Sequence, residues 1–239
     1  DDMELINEGS ELRRKWIDSI LSQTDKEYFE KLMHYQRVLL QRNAWLKMQA
    51  INPAKDRTEL EYYNVALDAD GTYIYKQRSI FIARFIPLLE NFYEQLSGGR
   101  ERIAVVYETD LAKKPLLNLL EESFQQDLRM QRTLKGVHKD DWDFILNDID
   151  LKNFGSQGQK KSFLFALKLA QYAYLNIEMG HLPILLLDDI FEKLDQSRME
   201  ALLRIIRGPG FGQVLLTDTH AERIQVAFGP NADIGFIQL

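Results

Sequence analysis

The 239 residues predict a mostly helical region followed by an α/β region. Three observations carry this. The first hundred residues hold two long stretches with apolar residues at helical spacing. They stop at Ser97-Gly98-Gly99, a helix-ending signal. The last hundred residues hold two short apolar runs, Ile184–Leu187 and Gln213–Thr217, separated by a helix-length segment, as a parallel βαβ unit requires.

The elements follow in order. Thr24-Asp25 caps a helix that runs to about Asn52, with Tyr28, Phe29, Leu32, Tyr35, Leu39 and Leu46 as its apolar positions. Pro53 ends it. A second helix runs from about Arg57 to Leu96, with Gly71 as an expected kink, and the two make an antiparallel hairpin. Ile103–Tyr107 reads as a strand, Leu116–Met130 as a helix and Trp142–Leu146 as a strand. A polar loop is expected over Asn147–Asn153. Gln157–Met179 is apolar almost all round, so it is expected to be buried on more than one side. Ser197–Arg207 is a helix between the two buried strands, and Ile234–Leu239 is expected to be the last strand. Two divisions result: 1–135, mostly helical, and 136–239, α/β.

Composition narrows the chemistry. Cysteine is absent, which removes disulfides, thiolate zinc sites and cysteine nucleophiles and fits a reducing cytoplasm. No apolar run approaches the ~20 residues that span a bilayer, so no membrane association is expected, and no leader pattern opens the chain. The formal charge is −6, so a nucleic-acid partner needs a local basic patch. Arg13-Arg14-Lys15 could touch phosphate or simply end a helix in solvent. Arg37, Arg42 and Lys47 fall about 140° apart on a helical wheel and make no stripe. Lys160 and Lys161 are better placed for nucleic acid or interface charge. Trp16, Trp45 and Trp142 could stack on bases but are expected in the core. His34, His138, His181 and His220 have no metal-ligand spacing.

Two segments carry chemistry. Ile184–Leu187 ends in Asp188-Asp189, two carboxylates at the carboxyl end of a strand, where a hard cation and an activated water would sit. Either aspartate could instead cap a turn. Gly155-Ser156-Gln157-Gly158-Gln159-Lys160-Lys161-Ser162 opens the buried helix and falls one glycine short of a phosphate loop. Its backbone N–H groups favour an anion, although an ordinary serine-capped helix reads the same way.

Together these segments resemble an ATP-binding-cassette (ABC) ATPase. Ser156-Gln157-Gly158-Gln159 matches its S-G-G-Q signature with Gln157 as the departure. Asp188 and Asp189 match the Walker B aspartate and the catalytic acid, here Asp in place of the commoner Glu. Glu192-Lys193-Leu194-Asp195 stands at the D-loop, and the switch residue falls among Asp218, Thr219 and His220, with Thr219 taken as the nucleotide contact. Phe154–Gln159 resembles the F-x-S-Q-G-Q signature of the RecF family of bacterial DNA replication and repair proteins. Gly136-Val137-His138-Lys139-Asp140-Asp141 is similar to its G-x-H-[RK]-D-D segment. Asp2–Ile6 with Arg13, Arg14 and Asp18, and Arg37–Asn43, resemble two further family segments in the same order. The family's phosphate loop has no counterpart here.

The resemblance implies the C-terminal part of an ABC-ATPase head with a long helical-hairpin second lobe: lobe II over 1–135 and lobe I over 136–239. It implies ATP and Mg²⁺ as cofactors. Asp188 would hold the metal and Asp189 polarise water. Ser156, Gln157, Gly158, Gln159, Asp195 and Thr219 would contact nucleotide across an ATP-dependent homodimer. It implies DNA binding at single-strand/double-strand junctions, RecR and RecO as partners, RecA loading on gapped DNA, a place in the SOS response and a cytoplasmic location. Such a protein is a weak DNA-dependent ATPase, and this chain without a phosphate loop is expected to be inactive alone. Two rivals stand beside this reading. An SMC-type head would need longer arms and sustained heptads. A non-catalytic DNA- or partner-binding module would use the hairpin alone.

Overall fold

The computed structural model describes residues 3–51, 57–188, 194–217, 235 and 237. Its contacts divide the chain into two compact units, each discontinuous in sequence. One comprises residues 7–86 and 105–145, the other 1–6, 87–104 and 146–239. This differs from a single cut at residue 135. The chain passes between the units inside regular elements, among them one 40-residue helix whose rise is about 60 Å, longer than a small domain is wide.

The elements are α1 (Glu4–Asn7), α2 (Ser10–Thr24), α3 (Lys26–Ile51), α4 (Thr58–Ser97), β1 (Ile103–Glu108), α5 (Leu116–Met130), β2 (Asp141–Leu146), β3 (Ile149–Asp150), α6 (Leu151–Phe154), α7 (Gln157–Met179), β4 (Leu185–Asp188), α8 (Gln196–Ile206) and β5 (Val214–Thr217). The expected helices and strands are present, except that Ile234–Leu239 lies largely outside the described residues, as does Pro53.

The unit of residues 7–86 and 105–145 is built on α3 and α4. Asp25 caps α3 by accepting from the Tyr28 N–H at 3.0 Å. His34 bonds Asp70, Arg42 bonds Asn64, and Trp45 and Leu46 pack with Leu60, so rising numbers on α3 meet falling numbers on α4. That is the antiparallel hairpin. At Gly71 α4 continues unbroken. The glycine permits close approach: a Cβ there would stand 2.6 Å from Leu116 Cδ2 and 3.2 Å from Tyr35.

Inside this unit lies a set of buried ion pairs. The Arg78 guanidinium, almost wholly buried, donates to Asp18 and Asp140 at 2.8 Å each and to the Val137 carbonyl at 2.8 Å, and lies 5.4 Å from the Trp142 ring centroid. Arg42, fully buried, donates to Asn64, Asp127 and Thr133, each at 2.8 Å. Arg13 clamps Asp141 with two bonds of 2.8 and 2.9 Å. Residues of three segments that resemble the family outside the signature therefore meet here. Arg13 and Asp18 of α2, Arg42 and Asn43 of α3, and His138, Asp140 and Asp141 form one buried framework. Buried charges persist only when paired in this way. Arg42 thus belongs to the core. Trp142 and Trp45 are buried as expected, and Trp16 packs edge-on against Phe85 at 5.6 Å.

The other unit is built on α7. Phe163, Leu167, Leu169 and Ala170 are buried, with Tyr93 5.9 Å from Phe163 and Tyr172 stacked on Phe211 at 4.7 Å. β4 and β5 pair in parallel, Leu185 opposite Val214 and Asp188 opposite Thr217, with α8 between them in sequence. The strands are not buried on both faces as expected. Leu185 and Leu187 are buried, but Leu186 is 70% and Leu215 47% exposed. The side-chain period of two puts those leucines on the opposite face. The expected polar loop over 147–153 is also corrected. Asn147 and Asp148 take φ of 47° and 64°, a two-residue turn joining β2 to β3, and α6 follows at once.

Candidate functional site

The site is built at the start of α7. Ser156 precedes the helix with extended backbone, and its Oγ accepts from the Gln159 N–H at 3.2 Å. Gln159 Oε1 accepts from the Ser156 N–H at 2.8 Å, which completes a capping box. Ser156 and Gln157 are exposed. Helix geometry leaves the N–H groups of Gln157 and Gly158 without intrahelical acceptors at the positive end of the helix dipole. These residues fit a phosphate group.

Gln159 does a second thing. Its Nε2 donates to Glu101 at 2.9 Å, and Glu101 also accepts from the Tyr93 hydroxyl at 2.6 Å. Burial, then this carboxylate, pushes the Tyr93 hydroxyl well above its ordinary pKa. The phenol keeps its proton and holds Glu101 in place.

Arg198, on the first turn of α8, reaches the same helix start. Its Nη1 donates to the Gly158 carbonyl and to Ser162 Oγ at 2.6 Å, and Nη2 stands 3.8 Å from Glu101. Its Nε lies 3.4 Å from Asp195. Asp195 caps α8 by accepting from the Arg198 N–H at 2.9 Å, and this bond, with the Ser197 hydroxyl, lowers its pKa. One guanidinium therefore joins the expected signature to the expected D-loop aspartate. No sequence signal pointed to Arg198 or Glu101, because the contacts join residues 40 and 58 positions apart.

Asp188 ends β4, is exposed, and accepts from the Thr217 hydroxyl on β5. It offers a carboxylate at the carboxyl end of a parallel strand, and magnesium needs only one or two from protein. Asp189, Glu192, Lys193, Asp218, Thr219 and His220 lie outside the described residues. Among the described residues no group of three or more His, Asp or Glu could hold a metal ion. Nor is any described helix long and apolar enough to cross a membrane.

The remaining expectations on charge resolve individually. Lys160 donates to the Lys152 carbonyl at 2.6 Å. Arg14 donates to the Asp140 carbonyl at 2.6 Å. His138 is held between the Tyr35 hydroxyl at 2.8 Å and the Thr133 carbonyl at 3.1 Å, and burial lowers its pKa to about 4. It is a neutral structural group.

No family model matches the chain. Solved structures and curated relatives do. Two structures of the recombination mediator protein RecF in the RecFOR pathway, one with ATPrS and one with ATP, each align with a TM-score of 0.81 over 92% of this chain and 61% of theirs. The identities are 30% and 29%. The fold is thus part of an ABC-type ATPase head with a helical second lobe.

The family follows from the sequence relatives. The DNA replication and repair protein RecF of Flavobacterium johnsoniae is 44% identical over 224 residues, 94% of this chain and 62% of that protein. RecF of Parabacteroides distasonis is 36% identical over all 239 residues, 64% of its length. The chain belongs to the RecF family and spans less than two thirds of these relatives.

Proposed function

We propose that this chain is the signature-bearing portion of an ATP-dependent DNA-binding clamp that acts in replication and in recombinational repair of gapped DNA. The observation that supports it best is the Arg198 bridge, which ties Gly158 to Asp195. In this reading the bridge couples those two positions when nucleotide is held between two copies.

In this reading Ser156, Gln157, Gly158 and Gln159 present the α7 start to the γ-phosphate of nucleotide held by a second copy. Asp195 lies at the seam and Thr219 senses the phosphate. Asp188 holds magnesium, and Asp189 orients the attacking water. Bound magnesium neutralises charge that develops on the transferring phosphoryl group, and the protein supplies positioning. Turnover acts as a timer for release from DNA at single-strand/double-strand junctions. RecO and RecR are the partners, RecA loading the outcome, and the cytoplasm during the SOS response the setting. The relatives, which are DNA replication and repair proteins, support replication and repair, and the two RecF structures, with ATPrS and with ATP, support ATP.

A second reading is favoured by the capping box, which explains Ser156 and Gln159 with no ligand at all. It makes the chain a non-catalytic binding module. One experiment separates the two. In a protein of the relatives' full length, Asp188→Asn should weaken magnesium-dependent ATP binding. Asp189→Asn should leave binding intact and slow turnover. Identical effects on ATP affinity overturn the assigned roles, and no effect of either favours the module.

A further inference from the structure

In a chain of net charge −6, a region of the described residues turns its acids inward and its bases outward. It lies where α2 meets the turns over residues 131–140. Asp127 is fully buried and spends its oxygens on Arg42, Ser123 and the Leu134 N–H. Asp140 is buried against Arg78 and the Tyr107 hydroxyl. Both oxygens of Asp141 are on Arg13. Glu11, the remaining acid near Arg14, pairs with Lys15 at 2.7 Å.

Three cations are left at the surface of this framework. Arg132 and Lys139 are exposed and Arg14 is half-buried. The fold draws them together. His138 Nε2–H donates to the Thr133 carbonyl, which joins the turn carrying Arg132 to the turn carrying Lys139. Arg14 reaches the carbonyl of Asp140, the residue after Lys139. Partial burial, then Arg132 and Arg14, hold the Lys139 ammonium below its ordinary pKa. Like charges so placed repel, and a polyanion relieves that repulsion.

We propose that Arg14, Arg132 and Lys139 form a contact surface for the phosphodiester backbone of nucleic acid. The inference rests on the DNA-binding reading above and assigns it a location. Nothing there reads a base, so the contact is independent of sequence and sensitive to salt.

The test uses this chain with a fluorescein-labelled DNA duplex bearing a single-stranded tail, followed by anisotropy across a salt series. Arg132→Glu with Lys139→Glu is compared with Arg37→Glu with Lys47→Glu, which makes the same charge change at exposed positions of α3. The first pair should weaken binding at least tenfold and lower the slope of log K against log salt by about 2, from roughly 0.9 per phosphate contact. The α3 pair should change it far less. If the first pair is unstable by melting, Arg132→Gln with Lys139→Gln decides, with a smaller loss expected. Equal loss from both pairs, or none from the first, overturns the surface and leaves DNA binding standing. No binding by the parent chain overturns the surface and the DNA-binding reading of this chain together.

Discussion

Arg198 and Gly158 stand forty positions apart, yet one guanidinium nitrogen of Arg198 donates to the Gly158 carbonyl and to Ser162 Oγ at once. The side chain is only 17% exposed, so water replaces these bonds poorly. Arg198→Ala should cost about 2 kcal/mol, typical of hydrogen bonds made by a charged group. Amide exchange at residues 157–161 should speed up. Arg198→Lys should recover little, because a single ammonium cannot serve carbonyl, hydroxyl and carboxylates in a fork. Melting and hydrogen exchange check this, and full rescue by lysine would contradict it.

Removing half of a buried pair should hurt more. Arg42 and Asp127 are both fully buried. Asp127→Ala leaves the Arg42 charge uncompensated and should destabilise by about 3–5 kcal/mol. Arg42→Met with Asp127→Leu removes both charges and should cost much less than the single change. Urea unfolding of the three proteins measures the difference.

His138 gives the unit an acid sensitivity. The unfolded chain takes up its proton near pH 6.5 and the folded chain near 4. The stabilisation is therefore complete above about pH 6.5 and is lost as pH falls towards 4, by roughly 3 kcal/mol in all. His138→Gln should be less stable at pH 7 and should show a shallower fall between pH 6.5 and 4. Unfolding free energies at successive pH values give the slopes, and parallel slopes would remove His138 as the cause.

Ser156 has a structural role that can be isolated. Ser156→Ala deletes the cap on Gln159 and should cost about 1 kcal/mol. Ser156→Asp keeps an acceptor at the cap and should retain most of that stability. Thermal unfolding of the three proteins checks this.

Much of the fold was legible because helices and strands announce themselves locally. The α3/α4 apolar spacing, Gly98-Gly99 with φ of 69° and 72°, and the β4–α8–β5 pattern are each properties of a short stretch. The α7 start was legible for the same reason, since Ser156–Gln159 is a contiguous capping box. Arg78 was not, because its four partners come from α2, α3 and the turns near residue 140. Long-range pairing leaves no period in a sequence. The exposed face of β4 and β5 was misread for a related reason: an apolar run reports which residues suit a strand, and not what covers its second face. The Asn147-Asp148 turn was missed because polar residues read as loop, whereas their tolerance of positive φ makes a tight hairpin.

The central claim is that the α7 start acts on nucleotide held by another copy. It is tested most directly by solution mass, with and without ATP, of a protein of the relatives' full length carrying Ser156→Arg. In the proposed arrangement, arginine at this exposed cap is bulky enough to wedge a seam and would leave the nucleotide bound by its own subunit untouched. The account predicts normal ATP affinity and no ATP-driven increase in mass, whereas Ser156→Ala loses only the cap and still dimerises. If the Ser156→Arg protein dimerises with ATP as the parent does, the α7 start does not face a partner's nucleotide and the claim fails.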